Sequence, residues 1–388
     1  MNLADLYRDL HAHPELSFAE HRTAAVAAAR SRDIGCEVTE GVGGTGVVAV
    51  LRNGSGPTVM LRADMDALPV TEQTGLPYAS VEPEVMHACG HDMHVTWLLG
   101  ALDGLRHKDW TGTVLAVFQP AEEYAAGARA MVDDGLFDRF GRPDVVLGQH
   151  VAPWPAGEVR YRAGTTMAGM DSLTVRLFGQ GGHGSRPETT VDPVVMAAAT
   201  VLRLQTVVSR EVSGLEPVVL TIGSLHAGTK SNIIPAEAEL QLSIRTFDEA
   251  VRRRVLDAIT RIVRAEAAAS GAVQEPGIEV TIATPMLVND AEAVERTMAA
   301  IRPELTVQIT PPAMASEDFG VFGRAAGVPS CFWFVGGTDP GLFADAEAAG
   351  RIDQDVPSNH SPRFAPVLEP TLDAGVRALV AAARSYLR

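Results

Sequence analysis

The chain has 388 residues, of which 46 per cent are hydrophobic and 21 per cent charged, and it carries a formal net charge of −16. That length exceeds what one hydrophobic core usually serves, and the composition excludes long disordered or fibrous stretches. The acidic balance opposes phosphate backbones and anionic lipid, so neither nucleic acid nor a membrane is an expected partner.

In chain order, an alanine-rich helix is predicted over 19–33, then strands "VVAVLR" and "TVMLRADMD", a helix near "VTWLLGALDGLRH" and a strand "TVLAVFQPAEE". A helix around "AGARAMVDDGLF" leads to the strand "DVVLGQHV". This alternation predicts a mostly parallel sheet with helices on its faces. From residue 171 the rhythm changes to "DSLTVRLFG", a helix from Pro193 to about Ser209, "PVVLTIGSL", "AELQLSIRTF", a helix from Glu249 to about Ser270, and "IEVTIAT". That order is β-α-β-β-α-β, the split form of a ferredoxin-like domain. After Pro285 come the helix "DAEAVERTMAAI", the strand "CFWFVGG" and a long final helix. The expected fold is therefore α/β: a catalytic domain of residues 1–170 and 286–388, interrupted by an inserted ferredoxin-like α+β domain over 171–285.

The N-terminal stretch "MNLADLYRDLHAHPE" is charged and lacks the apolar segment of a secretory signal, and no run approaches a membrane span. A cytoplasmic protein is expected. Cys36, Cys89 and Cys331 are too few and scattered for a disulfide framework. Cys36 and Cys331 read as buried structural thiols.

Cys89 stands apart because "HACGHDMH", residues 87–94, packs three histidines, a cysteine and an aspartate into eight positions. Four further stretches place donors at strand ends or in the loops beyond: Asp64 and Asp66 in "RADMDALP", Glu122 and Glu123 in "QPAEE", His150 in "GQHVAP", and His360 in "NHSPRF". Sites in open α/β sheets are built at those ends. Adjacent buried carboxylates repel, and a cation is the simplest way to hold them in one cleft. Cys89 and His91, separated by one glycine, can present a thiolate and an imidazole to one point. Such donors favour zinc or a transition metal over magnesium or calcium.

The letters "GVGGTG" over residues 41–46 satisfy a dinucleotide-binding pattern, but a β-branched strand follows where a helix is required. They read as a glycine-rich hairpin. Neither G-x-S-x-G nor H-E-x-x-H occurs, which disfavours a serine hydrolase and removes the commonest zinc protease signature.

The stretches "LHAHPELSFAE", "RADMDALP", "HACGHDMH", "FQPAEE", "GQHVAPWPAGEV", "GGHGSRPETTVDPV", "NIIPAEAELQLSIRTFDE", "ASEDFG" and "HSPRF" occur in the order seen in the metal-dependent aminoacylase and carboxypeptidase family, which this chain resembles from about residue 7 to residue 366. It is most similar to the branch of hippurate hydrolases and plant indole-acetyl-amino-acid hydrolases. The wider family carries His-x-Asp where this chain has Asp64 and Asp66, and an aspartate where Cys89 stands; the branch shares both departures. Met93 departs from the branch's usual glycine.

The resemblance implies two divalent metal ions bridged by Cys89, with His91, Glu123, His150 and His360 completing the shells. Manganese or zinc is expected, with cobalt or nickel as alternatives. Glu122 would be the general base, Asp66 would orient a ligand, and His87 and His94 would be structural or supporting. His183 in "GGHGS" would stabilise the oxyanion, carried by the inserted domain into a partner subunit's site, which implies a homodimer. Asn232 and Arg245 match positions that hold the substrate's free carboxylate, a task that suits arginine's planar fork. Closure of one domain on the other would assemble the site.

The reaction these expectations describe is removal of an acyl or aroyl group from an N-acyl amino acid by a metal-activated water. The alternatives are a metallo-exopeptidase of the same fold and a non-catalytic metal- or ligand-binding protein; retention of Glu122 beside Glu123 argues against the latter.

Overall fold

The structure, a computed structural model, describes residues 2–107 and 109–388. The chain divides into two compact units, Met1–Thr166 with Val288–Pro312 and Asp318–Arg388, and Met167–Leu287 with Ala313–Glu317. No helix among the described residues is long and apolar enough to cross a membrane.

The first unit is built on an eight-stranded sheet of β1 (Glu37–Val42), β2 (Gly46–Asn53), β3 (Thr58–Asp64), β4 (Gly112–Gln119), β5 (Val145–Pro155), β6 (Glu158–Tyr161), β7 (Thr306–Ile309) and β8 (Ser330–Thr338). Their spatial order is β1-β2-β4-β3-β5-β8-β6-β7. The centre, β4-β3-β5-β8, is wholly parallel, whereas β1 with β2, β2 with β4 and β6 with β8 pair antiparallel and β7 lies parallel to β6. Strands buried on both faces read as continuous apolar runs, as in β8, where every residue is buried. The "GVGGTG" stretch is the β1–β2 hairpin, with Val42 opposite Gly46.

The helix His91–Leu105 is buried along almost its whole length, including its polar first turn. Such a helix has no solvated stripe and is held on every side. Trp97 lies over Gly375 so closely that a Cβ there would come within 2.1 Å of its ring, and its Nε1 donates to Thr371 O at 3.0 Å. The expected helix over "AGARAMVDDGLF" is instead two short helices, Gly127–Asp133 and Leu136–Phe140, parted by Gly135 in the left-handed conformation.

In the second unit the strands Val218–Ala227, Glu237–Thr246, Gly169–Phe178 and Gly277–Thr284 lie side by side in that order, every neighbour antiparallel. Alternate residues Ala238, Leu240, Leu242 and Ile244 face inward and share a core with Val255, Ile259 and Ile262 of the helix Glu249–Ala269. Asp248 caps that helix by accepting from Ala250 and Val251 N–H at 2.8 and 3.0 Å. The helix that starts at Pro193 is α-helical to Thr206 and then widens into a π turn, Val207–Glu211.

Candidate metal centre

Because β3, β4 and β5 are parallel, their carboxyl ends open on the same side of the sheet. Asp64 at the end of β3 is paired with Gln119 at the end of β4, and the β3–β5 register, Arg62 with Gly148, carries Asp64 to the level of His150. Asp66, Glu122 and Glu123 follow just beyond β3 and β4. His150 lies inside β5 and not at its end, since the strand runs on to Pro155.

Cys89 and His91 arrive on a loop that turns into the buried helix at His91. Gly90 between them has φ +85°, and a Cβ there would lie 2.4 Å from Val151 Cγ1. Only glycine lets this loop press against β5. His360 comes from the far end of the chain and has φ 71°, while Ala121 and Ala125, flanking the two glutamates, have φ 48° and 51°. Left-handed backbone costs a non-glycine residue about 1–2 kcal/mol, so it persists only where surrounding contacts hold it.

These segments bring the expected ligands together. Cys89, Glu123 and His360 offer donor atoms within 4.8 Å of one another, as do His91, Glu122 and Glu123. Cys89 Sγ lies 3.5 Å from His150 Nε2, and His360 Nε2 lies 3.3 Å from Glu123 Oε1. Asp64, His91, His94 and His150 form another such group, but the hydrogen bonds divide it. His94 uses both ring nitrogens, Nδ1 against Asp64 Oδ1 at 2.5 Å and Nε2 as acceptor for Val151 N–H at 2.8 Å. The other oxygen of Asp64 accepts from Arg62 Nη1 at 2.8 Å. His94 is therefore framework with no lone pair left aimed at the cluster, whereas Asp64, bonded to His94 and Arg62, keeps Oδ2 beside His91 Nε2.

Asp66 meets both His91 and Glu123. Its Oδ1 lies 3.2 Å from His91 Nδ1, and its Oδ2 accepts from the Ser17 hydroxyl at 2.7 Å and from Glu123 N–H at 2.9 Å. With Nδ1–H donating to Asp66, His91 presents the Nε2 lone pair to Asp64 Oδ2 at 3.5 Å, Glu123 Oε1 at 3.9 Å and Glu122 Oε2 at 4.0 Å. His150 is fixed in the same sense, Nδ1 donating to Val151 O at 2.7 Å. Such hydrogen bonds select the ligating nitrogen of a metal-bound histidine.

Among the described residues, His91 Nε2 and Glu123 Oε1 are buried atoms without a hydrogen-bond partner. Buried polar atoms are normally paired, and lone pairs gathered around one point repel unless a positive charge sits among them. The electrostatics agree. Burial works against a charged His91, yet Asp64, Cys89 and Asp66 raise its pKa well above the ordinary histidine value. Burial, then Glu123, raises the Cys89 thiol, against the lowering influence of His91 and His360, and a cation held there would favour the thiolate. A Cys, His and Glu donor set with these orphaned lone pairs fits a soft or borderline divalent cation.

Sequence reasoning missed the second layer. Arg62, fully buried, donates to Gln119 Oε1 at 2.7 Å, to Asp64, and to Asp318 Oδ1 at 3.2 Å. Gln119 and Ala128 N–H also donate to Asp318, whose pKa burial raises to about 6. The stretch "ASEDFG" was noticed, but nothing local ties Asp318 to an arginine 256 positions away. Met93 is wholly buried and serves packing. His87 is buried with both nitrogens unpartnered among the described residues, and burial lowers its pKa to about 4; nothing in the structure accounts for it.

In the second unit, His183 and Asn232 lie side by side. His183 pairs with Ile233 in a short ladder, and Gly184 N–H donates to Asn232 O at 2.9 Å. His183 Nδ1 accepts from Ser185 N–H at 3.1 Å and lies 2.8 Å from the Ser185 hydroxyl. The neutral ring therefore carries its proton on Nε2. Arg245, half-buried, donates through Nη1 to Met314 O at 2.9 Å and to Ser316 Oγ at 3.3 Å.

A cysteine, three histidines and a glutamate at the carboxyl edge of a parallel sheet, in a chain with an inserted α+β unit, define a hydrolase of the metallopeptidase type. Residues 60–384 match Peptidase family M20/M25/M40, and the chain belongs to that family. It is 41 per cent identical over 319 residues to a hippurate hydrolase of Campylobacter jejuni, covering 81 per cent of this chain and 82 per cent of the relative. It is 38 per cent identical over 341 residues to thermostable carboxypeptidase 1 of Saccharolobus solfataricus, covering 86 and 85 per cent. The crystal structure of the Bacillus subtilis YXEP protein, a dinuclear metal binding peptidase, matches with TM-score 0.78 and 29 per cent identity over 98 per cent of this chain and 97 per cent of that one. The protein is thus an amide hydrolase.

Proposed function

We propose that this chain removes an acyl or aroyl group from an N-acyl amino acid, using two divalent cations held by Cys89, His91, Glu123, His150 and His360. The observation that carries the reading is the convergence of donors from Cys89, His91, Glu122, Glu123 and His360 in two overlapping groups, each within 4.8 Å, with His91 Nε2 buried and, among the described residues, without a hydrogen-bond partner. Manganese and zinc suit this mixed donor set best. Bound there, the cations acidify a water and polarise an amide carbonyl.

The remaining chemistry belongs to side chains. Glu122, buried and 4.0 Å from His91 Nε2, takes the proton of the attacking water and passes it to the leaving nitrogen. His183, with its donor proton on the exposed Nε2, hydrogen-bonds the oxyanion that develops on the substrate carbonyl. We assign this contact to a partner subunit, which makes the working enzyme a homodimer, and we place it in the cytoplasm. The Arg245 fork binds the substrate carboxylate, with Asn232 beside His183 as a further polar contact.

Hippurate is benzoylglycine, so its hydrolysis and a carboxypeptidase cleavage both release an amino acid from an amide; they differ in what lies on the acyl side. The likeness to a carboxypeptidase favours an exopeptidase as second reading. Parallel assays of hippurate and a dipeptide panel decide between them. The first reading requires faster turnover of hippurate, abolished by Glu122→Gln with metal content unchanged; preference for dipeptides selects the second. Hydrolysis that survives in Glu122→Gln refutes both mechanisms.

A further inference from the structure

We infer that Asn359 is a positioning residue whose carboxamide ties together the loop carrying Cys89, the strand carrying His150 and the segment carrying His360. The inference rests on the metal reading above. Asn359 Nδ2 donates to Cys89 O at 3.1 Å and to Val151 O at 3.2 Å, and it lies 3.9 Å from Cys89 Sγ. An amide nitrogen carries two hydrogens, and here two carbonyls stand to receive them. With three acceptors on that side, the orientation of the amide is not arbitrary: its oxygen would meet only repulsion there.

The choice of carbonyls gives the contact its meaning. Val151 O is the same atom that accepts Nδ1–H of His150 at 2.7 Å and so keeps the His150 Nε2 lone pair turned toward Cys89. Asn359 thus holds the acceptor that sets the tautomer of one proposed ligand, grips the backbone of a second, and is the chain neighbour of a third. His360 is itself anchored by its N–H to Ala88 O at 2.8 Å in left-handed backbone. Segments separated by more than 200 residues of chain therefore meet at one side chain. The weak contact to Sγ adds a donor directed at the sulfur, which stabilises negative charge on it.

Asn359→Asp tests this, because it keeps size and shape while replacing two donors by lone pairs facing two carbonyls and a sulfur. The protein is stripped with a chelator and titrated with cobalt(II), following the thiolate-to-cobalt charge-transfer absorption and competition with a chromogenic chelator. Loss of a supporting contact to a metal ligand typically lowers affinity by about 10–100-fold. That loss is expected in the variant, with a weakened charge-transfer band, an unchanged circular dichroism spectrum, and an affinity loss larger than the stability the stripped protein loses in urea unfolding. Cobalt affinity within about twofold of the parent overturns the inference, as does an affinity loss matched by equal destabilisation of the stripped protein. If the aspartate variant does not fold, Asn359→Ala carries the same expectations and the same refutation. A parent protein that takes up no cobalt overturns the metal reading itself; a parent that loads beside an Asn359→Asp variant that loads equally well overturns only the role of Asn359.

Discussion

His94 accepts the backbone N–H of Val151 at 2.8 Å, and that amide follows directly on His150. The ring stacks on Trp97 at 5.4 Å and meets His150 edge-on at 4.4 Å, while Asp64 takes its other nitrogen at 2.5 Å. Arg62, Asp64, His94 and the amide after His150 form one continuous buried chain of contacts. His94→Ala is expected to lose about 3 kcal/mol of stability, because it leaves Val151 N–H and Asp64 short of partners. It should also weaken metal binding by about tenfold or more. Urea unfolding and metal titration check both numbers, and an effect on neither would remove His94 from the framework.

His11 sits fully buried between Asp92, 2.6 Å from Nδ1, and Glu72, 3.3 Å from Nε2. Burial alone lowers its pKa, but Asp92 first and then Glu72 raise it to about 10. The folded form thus holds a proton that the unfolded chain releases near pH 6.5. The stabilisation is fully present below about pH 6.5 and is lost as pH rises toward about 10. The stability gap between the parent and His11→Gln should narrow across that window in urea unfolding at several pH values. Parallel curves would show that His11 is not the buried cation described.

Gly90→Ala combines a left-handed φ with a Cβ 2.4 Å from Val151 Cγ1. Val151 is wholly buried and has nowhere to go. A loss of about 2 kcal/mol or more is expected, together with lower metal content, since Cys89 and His91 flank the position. The double variant Gly90→Ala/Val151→Ala separates the causes. It should recover the steric part, so that its loss is smaller than the sum of the single losses; strict additivity would mean that the clash is absent.

Arg245→Lys keeps the charge and loses the planar fork. We expect KM for hippurate to rise about tenfold with kcat nearly unchanged, as for a contact equally strong in the ground and transition states. A lowered kcat at constant KM would move Arg245 from binding to catalysis.

His183→Gln should do the reverse. Removing one oxyanion donor costs roughly 100–1000-fold in kcat, with little change in KM. A variant as fast as the parent would leave the oxyanion to other groups.

What was legible in the sequence follows from how local each signal is. "HACGHDMH" is dense enough to announce itself, but why Gly90 separates two of its donors is visible only in the packing against Val151. The β1–β2 hairpin was readable because a β-branched run follows "GVGGTG". The pairing of β2 against β4 was not, since periodicity reveals a strand but not its neighbour. The expectation that His94 is structural or supporting while His91 is a ligand rests on resemblance and not on spacing: both are histidines on one helical turn, distinguished by the partners of their second nitrogens. Arg62 with Asp318, which is buried, and Asn359 with Val151, which is partly buried, are contacts between remote segments, and such pairs leave no spacing in a single chain.

Of the proposed donors, His360 in "NHSPRF" lies beyond the inserted unit, and Cys89, His91, Glu123 and His150 all precede that unit. A nascent chain therefore carries four of the five through the synthesis of the whole inserted unit before the fifth exists. On the metal reading, the full donor set forms only once that unit has been made.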